Sequence, residues 1–503
     1  MGISCISIPV INNFKMKILL IDPPYERLFG FRSEWFPLGL AYIAAYLAKR
    51  GHDVGIYNVE HGSDTEYKSI VRYAKDFNRY KLTLELNSHP IWKEIRETIN
   101  SFKPKIVGVS VITPKVPSAF RIAEICKSLN PPATVVFGGH HPTIRPDEML
   151  LNKNVDFCLR GEGEDVFNAL VEYLQDGESN YKNIPGLIFR DDNRIVDSPN
   201  GSPIDDLDSL PLPARDKLFN FNTYTPAQLS MVMTSRGCPY DCGFCASGNM
   251  WHRRVRFRSV ENIMKEVYEL KNKYLVKHIM FMDDAFTLDS ERVKALCLAL
   301  IKSKIGISWS CLTRANMITD ELIMLMRKSG CVKIDIGIES GNQRILDLIS
   351  KGITLEQIRE AVKILRKNRM YWSGFFMFGF PSETEREILD TLNFLKELRP
   401  DWANMSIFTP YPGTSLHDIC LKNGMISEPR DYALFSHQNI HSRYTDKIPS
   451  ERFHSLARHM FKEVNKRNSS PASLIKRALT RRYYRNPRLF WDDAKKAAAW
   501  LKK

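Results

Sequence analysis

Long apolar runs are absent from this sequence. Nowhere do about 18 uncharged apolar residues follow one another, the least that crosses a membrane as a helix. Met1 to Phe14 lacks the basic start and long apolar core of a signal peptide, and Lys17–Ile21 (KILLI) already reads as a strand, so Met16 is a candidate start. Together these features predict a cytoplasmic protein. Cysteine is scarce: ten in 503 residues cannot build a disulfide scaffold. Seven of them (Cys5, Cys126, Cys158, Cys297, Cys311, Cys331 and Cys420) are scattered, several in apolar runs, and read as small buried hydrophobes. No internal repeat, no low-complexity tract and no separate RNA-binding module is visible. The net charge of +15 is concentrated at one end. Residues 451–503 hold fifteen Lys or Arg against four Asp or Glu, which leaves the preceding 450 residues near neutral and argues against a nucleic-acid substrate.

What is present is alternation. Over the first 175 residues short apolar runs (Lys17–Asp22, Asp53–Val59, Lys105–Thr113, Ala133–Phe137, Asp156–Leu159) alternate with helical patterns (Pro37–Lys49, Ala119–Leu129, Val166–Leu174). This predicts a doubly wound α/β domain over 16–180, with the more polar residues 60–103 as a helical insertion. A Pro-rich polar stretch marks 181–225 as a linker. A second alternating series fills 226–420, with strands at Ser230–Ser235, His278–Met282, Ser308–Thr313, Lys333–Ile338, Gly374–Phe378 and Trp402–Phe408. Six βα units make a partial parallel barrel, whose chemistry belongs at the carboxyl ends of its strands. Residues 421–503 read as a helical, basic C-terminal region.

Three cysteines need another explanation. Arg236-Gly-Cys-Pro-Tyr-Asp-Cys-Gly-Phe-Cys245 spaces Cys238, Cys242 and Cys245 as C-x3-C-x2-C, directly after the first barrel strand. Three thiolates on a short loop can converge on one iron–sulfur centre and leave one iron open. A closed zinc site wants four ligands, and no obvious fourth lies near in sequence; a two-cysteine redox pair leaves the third cysteine unexplained. The segment, with Phe244 before its third cysteine, resembles the cluster loop of the radical S-adenosylmethionine superfamily, over roughly residues 228–415. The resemblance implies a 4Fe–4S cluster that binds and cleaves S-adenosylmethionine, with an external flavodoxin- or ferredoxin-type electron donor. By the same resemblance, polar groups at the other strand ends hold that ligand: Asp283 and Asp284, Arg314, and Glu339 with Ser340, with Glu339 at the ribose hydroxyls.

In the N-terminal domain no G-x-G-x-x-G follows the first strand; Asp22-Pro-Pro-Tyr25 stands there instead, which excludes the usual dinucleotide fingerprint. Ser110-Val-Ile-Thr113 and Gly138-Gly139-His-His-Pro-Thr143 end two later strands, with small hydroxyls and paired glycines that let a bulky group approach the backbone. Joined to a cluster domain, this pattern resembles the cobalamin-binding domain of cobalamin-dependent radical enzymes. The Asp-x-His-x-x-Gly loop whose histidine ligates cobalt in many such domains is missing, so cobalamin here is expected to lack a lower histidine. Tyr25, Arg27 and Trp35 are candidates to lie beneath it, and His140 and His141 are weaker candidates for contact.

The resemblance implies methylation of an unactivated carbon of a small-molecule or lipid-type substrate. The alternatives are a cyclase or oxidoreductase that uses cobalamin without net methyl transfer, and a non-catalytic cobalamin or cluster sensor. Ser473–Arg485 interleaves apolar, aromatic and cationic residues, a composition that suits a solvated helix packing one face on the barrel, a segment lying on an anionic membrane surface, or contact with RNA phosphates.

Overall fold

The computed structural model describes residues 15–31, 33, 35–62, 77–177, 180–192, 194–427, 431–432, 435–437, 439–440, 442–471 and 473. The basic segment after Ser473 lies outside the described residues. Among those described, no helix is long and apolar enough to cross a membrane.

The N-terminal sheet holds β1 (Lys17–Asp22), β2 (Asp53–Asn58), β3 (Ile106–Ser110), β4 (Thr134–Gly138), β5 (Phe157–Leu159), β6 (Leu187–Asp191) and β7 (Arg194–Asp197), in the order β2-β1-β3-β4-β5-β6-β7. The first five are parallel. Their near-continuous apolar burial follows from helices on both faces. The order reverses between β1 and β3, so a crevice opens outside the carboxyl ends of those two strands. The segment expected to be a linker contributes structure of its own: β6 and β7 extend the sheet antiparallel, and the Phe219 N–H returns to the Ile56 carbonyl (2.8 Å). The hairpin is hard to read from sequence because it is an edge. Solvated on one side, β7 keeps polar residues and loses apolar alternation.

The barrel comprises β8 (Met231–Val232), β11 (His278–Phe281), β12 (Ser308–Thr313), β13 (Cys331–Glu339), β14 (Tyr371–Phe378) and β15 (Trp402–Ile407), all parallel. A two-stranded antiparallel ribbon, β9 (Ser235–Arg236) with β10 (Arg256–Phe257), brackets the cysteine loop. Along β13, Ile334, Ile336 and Ile338 are fully buried under the helices, whereas the alternate Lys333, Asp335 and Gly337 are half-buried and face the lumen. Thr354 with Gln357 and Thr384 with Glu387 form capping boxes that start the helices leading into β14 and β15. The helix Ser450–Asn468 closes the open edge. Its Asn468 side chain accepts from the Ala403 N–H (3.0 Å) and donates to the Ala403 carbonyl (2.8 Å), as a neighbouring strand would. The six scattered cysteines among the described residues are buried.

Two sets of buried charges join the domains. Arg215 bridges the Leu229 and Met231 carbonyls and Glu266, and Arg258 reaches Glu266 and the Tyr42 hydroxyl of the N-terminal domain. The second set involves Glu162, Glu164, Arg236 and Arg256.

Gly330 turns the chain into β13 with φ +104°, and a Cβ there would sit 2.7 Å from the Ile307 carbonyl oxygen. Gly330→Ala is expected to destabilise the protein by about 1–3 kcal/mol through strain and overpacking. A lowered thermal midpoint by circular dichroism checks this; an unchanged midpoint contradicts the backbone constraint.

Candidate active site

The cysteine loop is shaped by positions that tolerate only glycine. At Gly237, φ is +100° and a Cβ would overlap the Arg254 carbonyl oxygen; at Gly243 a Cβ would lie 2.9 Å from Ser415 Oγ. Inside the loop the Cys245 N–H donates to the Cys242 carbonyl (2.9 Å) and the Gly243 N–H to the Ile349 carbonyl (2.9 Å). Backbone N–H groups of Tyr240 and Ser247 point to the sulfurs of Cys238 and Cys245 and favour thiolate, yet burial dominates: it pushes the Cys238 thiol up, and that of Cys245 to about 11. Iron must therefore displace protons on binding. Among the described residues no three His, Cys, Asp or Glu side chains close around a single ion. Three soft donors on one pinned loop fit a multi-iron cluster and not a lone zinc.

Arg314 lies against this loop. Its Nη1 is 3.5 Å from Cys242 Sγ, its guanidinium stacks 3.6 Å from the Tyr240 ring centre, and Nη2 donates to the Lys351 carbonyl. Its Nε–H is buried without a hydrogen-bond partner, a donor left over for a ligand. Glu339 ends β13 after a bulge, at φ +66°, and accepts from the buried Lys351 Nζ (2.7 Å). A side chain at Gly337 would crowd this pair, 2.6 Å from Glu339 Oε1.

The two aspartates after β11 part company. Asp283 is 1% exposed and is spent on the fold: it accepts from the Thr234 and Ser235 N–H groups (2.6 and 2.7 Å) and from Thr234 Oγ1. Although expected to face a ligand, it has both oxygens engaged by the turn between β8 and the start of β9. Asp284 is exposed and accepts from Ser247 Oγ (2.6 Å), just past Cys245. Ser340 is fully buried, bonded to Thr391 Oγ1 (3.1 Å) and to the Asn342 N–H (3.1 Å), so its hydroxyl shapes the turn and does not reach a ligand either.

On the N-terminal side the strand ends carry a rigid rim. At Gly139, φ is +103° and a Cβ would meet the Val111 backbone at 3.1 Å and Ser110 Oγ at 3.5 Å. Gly138 has only ordinary clearance, with nothing nearer than 3.8 Å. Thr113 is buried and bonded to His141 Nδ1 (3.1 Å), and the His141 ring lies edge-on to Tyr432; both belong to the packing behind the rim. Tyr25 is 8% exposed and packs edge-on against Phe29 and Tyr80, and Arg27 is tied to Glu94 (2.6 Å). Trp35 and Ile112, by contrast, keep 55% and 41% of their surface accessible, each an apolar face open to a large group. His140, Cys245 and Asp284 retain accessible surface, although protein encloses the first two closely enough for burial to move their titration. Asp284 lies close enough to both for its charge to act on them, and burial keeps His140 toward the neutral form, opposed by that charge.

Sequence reasoning missed Lys351, Tyr240 and Glu383. Glu383 follows Gly379-Phe-Pro381 beyond β14; its Oε2 accepts from the Gly379 and Phe380 N–H groups (2.5 and 3.0 Å), and its Oε1 is buried without a partner.

Comparison with known proteins agrees with this construction. Residues 29–171 match the B12 binding domain family and residues 232–395 the Radical SAM superfamily. The chain is 35% identical over 418 residues to an uncharacterized methyltransferase of Pyrococcus horikoshii, covering 82% of this chain and 84% of that one. It is 28% identical to the anaerobic magnesium-protoporphyrin IX monomethyl ester cyclase of Rubrivivax gelatinosus, covering 80% and 69%. Among solved structures, the radical S-adenosylmethionine methyltransferase TsrM from Kitasatospora setae, with cobalamin and a [4Fe–4S] cluster bound, superposes with a TM-score of 0.65 over 91% of this chain and 90% of that one; at 15% identity the likeness is one of fold. The chain is a radical S-adenosylmethionine protein with a cobalamin-binding domain. It belongs to the cobalamin-dependent radical S-adenosylmethionine family.

Burial pushes Glu383 up to about 8, against two N–H donors that favour the charged form. A carboxyl raised on folding takes up a proton, so its stabilisation is full below the unfolded pKa and is lost as pH rises through about 8. Glu383→Gln removes this loss. The variant is expected to gain stability over wild type progressively from pH 5 to pH 8, read from denaturation midpoints; a pH-independent difference contradicts the buried neutral carboxyl.

Proposed function

We propose that this chain transfers a methyl group to an unactivated carbon of a small-molecule substrate. The observation that carries the reading is the meeting of the two domains at their strand ends, where the helix His140–Ile144 packs on Ser247–Trp251 just past Cys245 and the Asp284 charge acts on both Cys245 and His140. When bound, the cluster with S-adenosylmethionine supplies a hydrogen-abstracting carbon radical and cobalamin supplies the methyl group.

The chain's own residues then have separable tasks. Cys238, Cys242 and Cys245 hold the cluster. Arg314, beside Cys242 with a spare N–H, offsets thiolate charge and donates to S-adenosylmethionine. Glu339, pinned by Lys351, accepts from ribose hydroxyls, and Asp284 receives the methionine amino group. Gly139 and Ser110 let cobalamin approach the backbone, with Trp35 and Ile112 as apolar contacts. Phe244, Phe380 and Phe408 stack beside the loop and keep water from it. An external one-electron donor of flavodoxin or ferredoxin type completes the system. The interleaved basic and apolar composition after Ser473 favours a lipid or lipid-linked substrate at a membrane surface.

A second reading, radical cyclisation without methyl transfer, is favoured by the similarity to a cyclase. Anaerobically reconstituted protein, given S-adenosylmethionine with a trideuterated methyl group and an extract of small molecules and lipids, separates the two. The expected product carries one trideuteromethyl in place of hydrogen, with 5′-deoxyadenosine formed alongside. A product that loses hydrogen without gaining label overturns the methylase reading; absence of 5′-deoxyadenosine overturns both. Arg314→Lys, which keeps the charge but loses the planar fork, is expected to weaken S-adenosylmethionine binding about tenfold, or about 1.4 kcal/mol, by equilibrium dialysis.

A further inference from the structure

Arg236 stands two residues before Cys238, yet its side chain points away from the barrel. Its Nη1 donates to Glu162 Oε1 and its Nη2 to Glu164 Oε1, both at 2.6 Å. Arg256, its partner in the β9–β10 ribbon, donates to the other oxygen of Glu162 (2.6 Å) and to the Ile204 carbonyl (2.6 Å). All four side chains are 4–5% exposed. Burial opposes ionisation of Glu162, but the hydrogen bonds and charges of Arg256 and Arg236 outweigh it and hold the carboxyl below its usual range. The two glutamates flank the start of the helix Gly163–Asp176, and a Cβ at Gly163 between them would press on the end of the Ile43 side chain at 2.9 Å.

The other end of the cysteine loop is held from the same side. The short helix Ser247–Trp251 packs on the helix His140–Ile144 that follows Gly139, with Thr143 Oγ1 4.0 Å from Met250 Sδ. The loop that carries Cys238, Cys242 and Cys245 is therefore suspended between two contacts with the N-terminal domain. One is a fork of charge-assisted hydrogen bonds joined to Cys238 through the glycine-only turn at Gly237.

We propose that Arg236 is a positioning residue for the iron–sulfur cluster, and that Glu162 and Glu164 of the cobalamin-binding domain set the cluster loop through it. Domain docking is then part of the cluster's geometry, and displacement of the N-terminal domain is felt at Cys238. The inference rests on the cluster assignment made under the proposed function. A lysine at 236 keeps the charge but cannot span both carboxylates. A glutamine at 164 keeps the shape and removes one charge.

The test uses full-length Arg236→Lys and Glu164→Gln, with Glu397→Gln as a control that removes the exposed Arg359 ion pair on the outer helices of the barrel. Hydrogen exchange of the cluster-free proteins is followed over residues 236–246. Electron paramagnetic resonance of the reconstituted, reduced proteins is recorded with and without S-adenosylmethionine. Iron content near wild type is expected throughout. In both latch variants, residues 236–246 should exchange about tenfold faster, the spectral change on adding S-adenosylmethionine should be diminished, and 5′-deoxyadenosine formation should fall about tenfold or more, the usual penalty for losing an outer partner of a metal site. The control should match wild type. Latch variants that match wild type in exchange and in both spectra overturn the proposal, and so does a control that shifts equally, since that reports general loosening. If Arg236→Lys fails to fold, Glu164→Gln decides. A wild type that forms no cluster overturns the cluster assignment instead.

Discussion

Charges removed from water decide how the two sheets of this protein meet. Glu162, Glu164, Arg236 and Arg256 have almost no contact with solvent, and Arg215, Arg258 and Glu266 form a second such group. Desolvating an ion costs several kcal/mol, recovered only where geometry is good, and removing one partner of a buried pair typically costs about 3–5 kcal/mol. An apolar contact of similar extent tolerates sliding. Two carboxylates facing a planar guanidinium do not, because each N–H must find its own oxygen.

That constraint has consequences because of what parallel sheets leave open. Helices cover the faces of both sheets, so the polar strand ends are the places where chemistry can be presented. With docking fixed, the carboxyl end of β4 meets those of β8 and β11, with His140 on one side and Cys245 and Asp284 on the other. Partial burial strengthens the influence of Arg314 on Cys242 and of Asp284 on His140. The same burial raises the Cys238 and Cys245 thiols, so a cluster binding there must displace their protons.

Both alternating series, and the placing of the cysteines after the first barrel strand, were legible in the sequence because strand and helix periods are local properties. The helical patterns at Pro37–Lys49, Ala119–Leu129 and Val166–Leu174 stand within three residues of Leu38–Lys49, Val116–Lys127 and Gly163–Asp176. What was not legible depends on partners distant in the chain. Nothing local distinguishes Asp283 from Asp284; only the backbone of Thr234 and Ser235, 49 and 48 residues away, makes one structural and leaves the other exposed beside Ser247. Glu162 and Glu164 follow a predicted strand, and their engagement with Arg236, 74 and 72 residues on, has no sequence signal at all. The β6–β7 hairpin was hidden for the opposite reason: an exposed edge strand has no burial to pattern it.

The loop Asp22–Tyr25 shows how a site without the histidine loop of many cobalamin domains is still made rigid. Lys115, 8% exposed, reaches Asp22 (2.6 Å) at the end of β1 and Glu60 (3.3 Å) just past β2. Glu60 also accepts from the N–H groups of Tyr25, Glu26 and Arg27. Burial raises the Asp22 carboxyl although the Lys115 charge pulls it down, and Lys115 itself stays charged because the two carboxylates outweigh its own desolvation. Two acids thus share one ammonium and three backbone donors across the point where strand order reverses. With Asp22 held by Lys115 and Glu60 by three backbone donors, the loop has little freedom to reorganise, and its two prolines remove backbone donors that would otherwise need partners. The rim beneath the β1–β3 crevice is preorganised by buried charge, in the same way that the cysteine loop on the opposite side is held by Arg236.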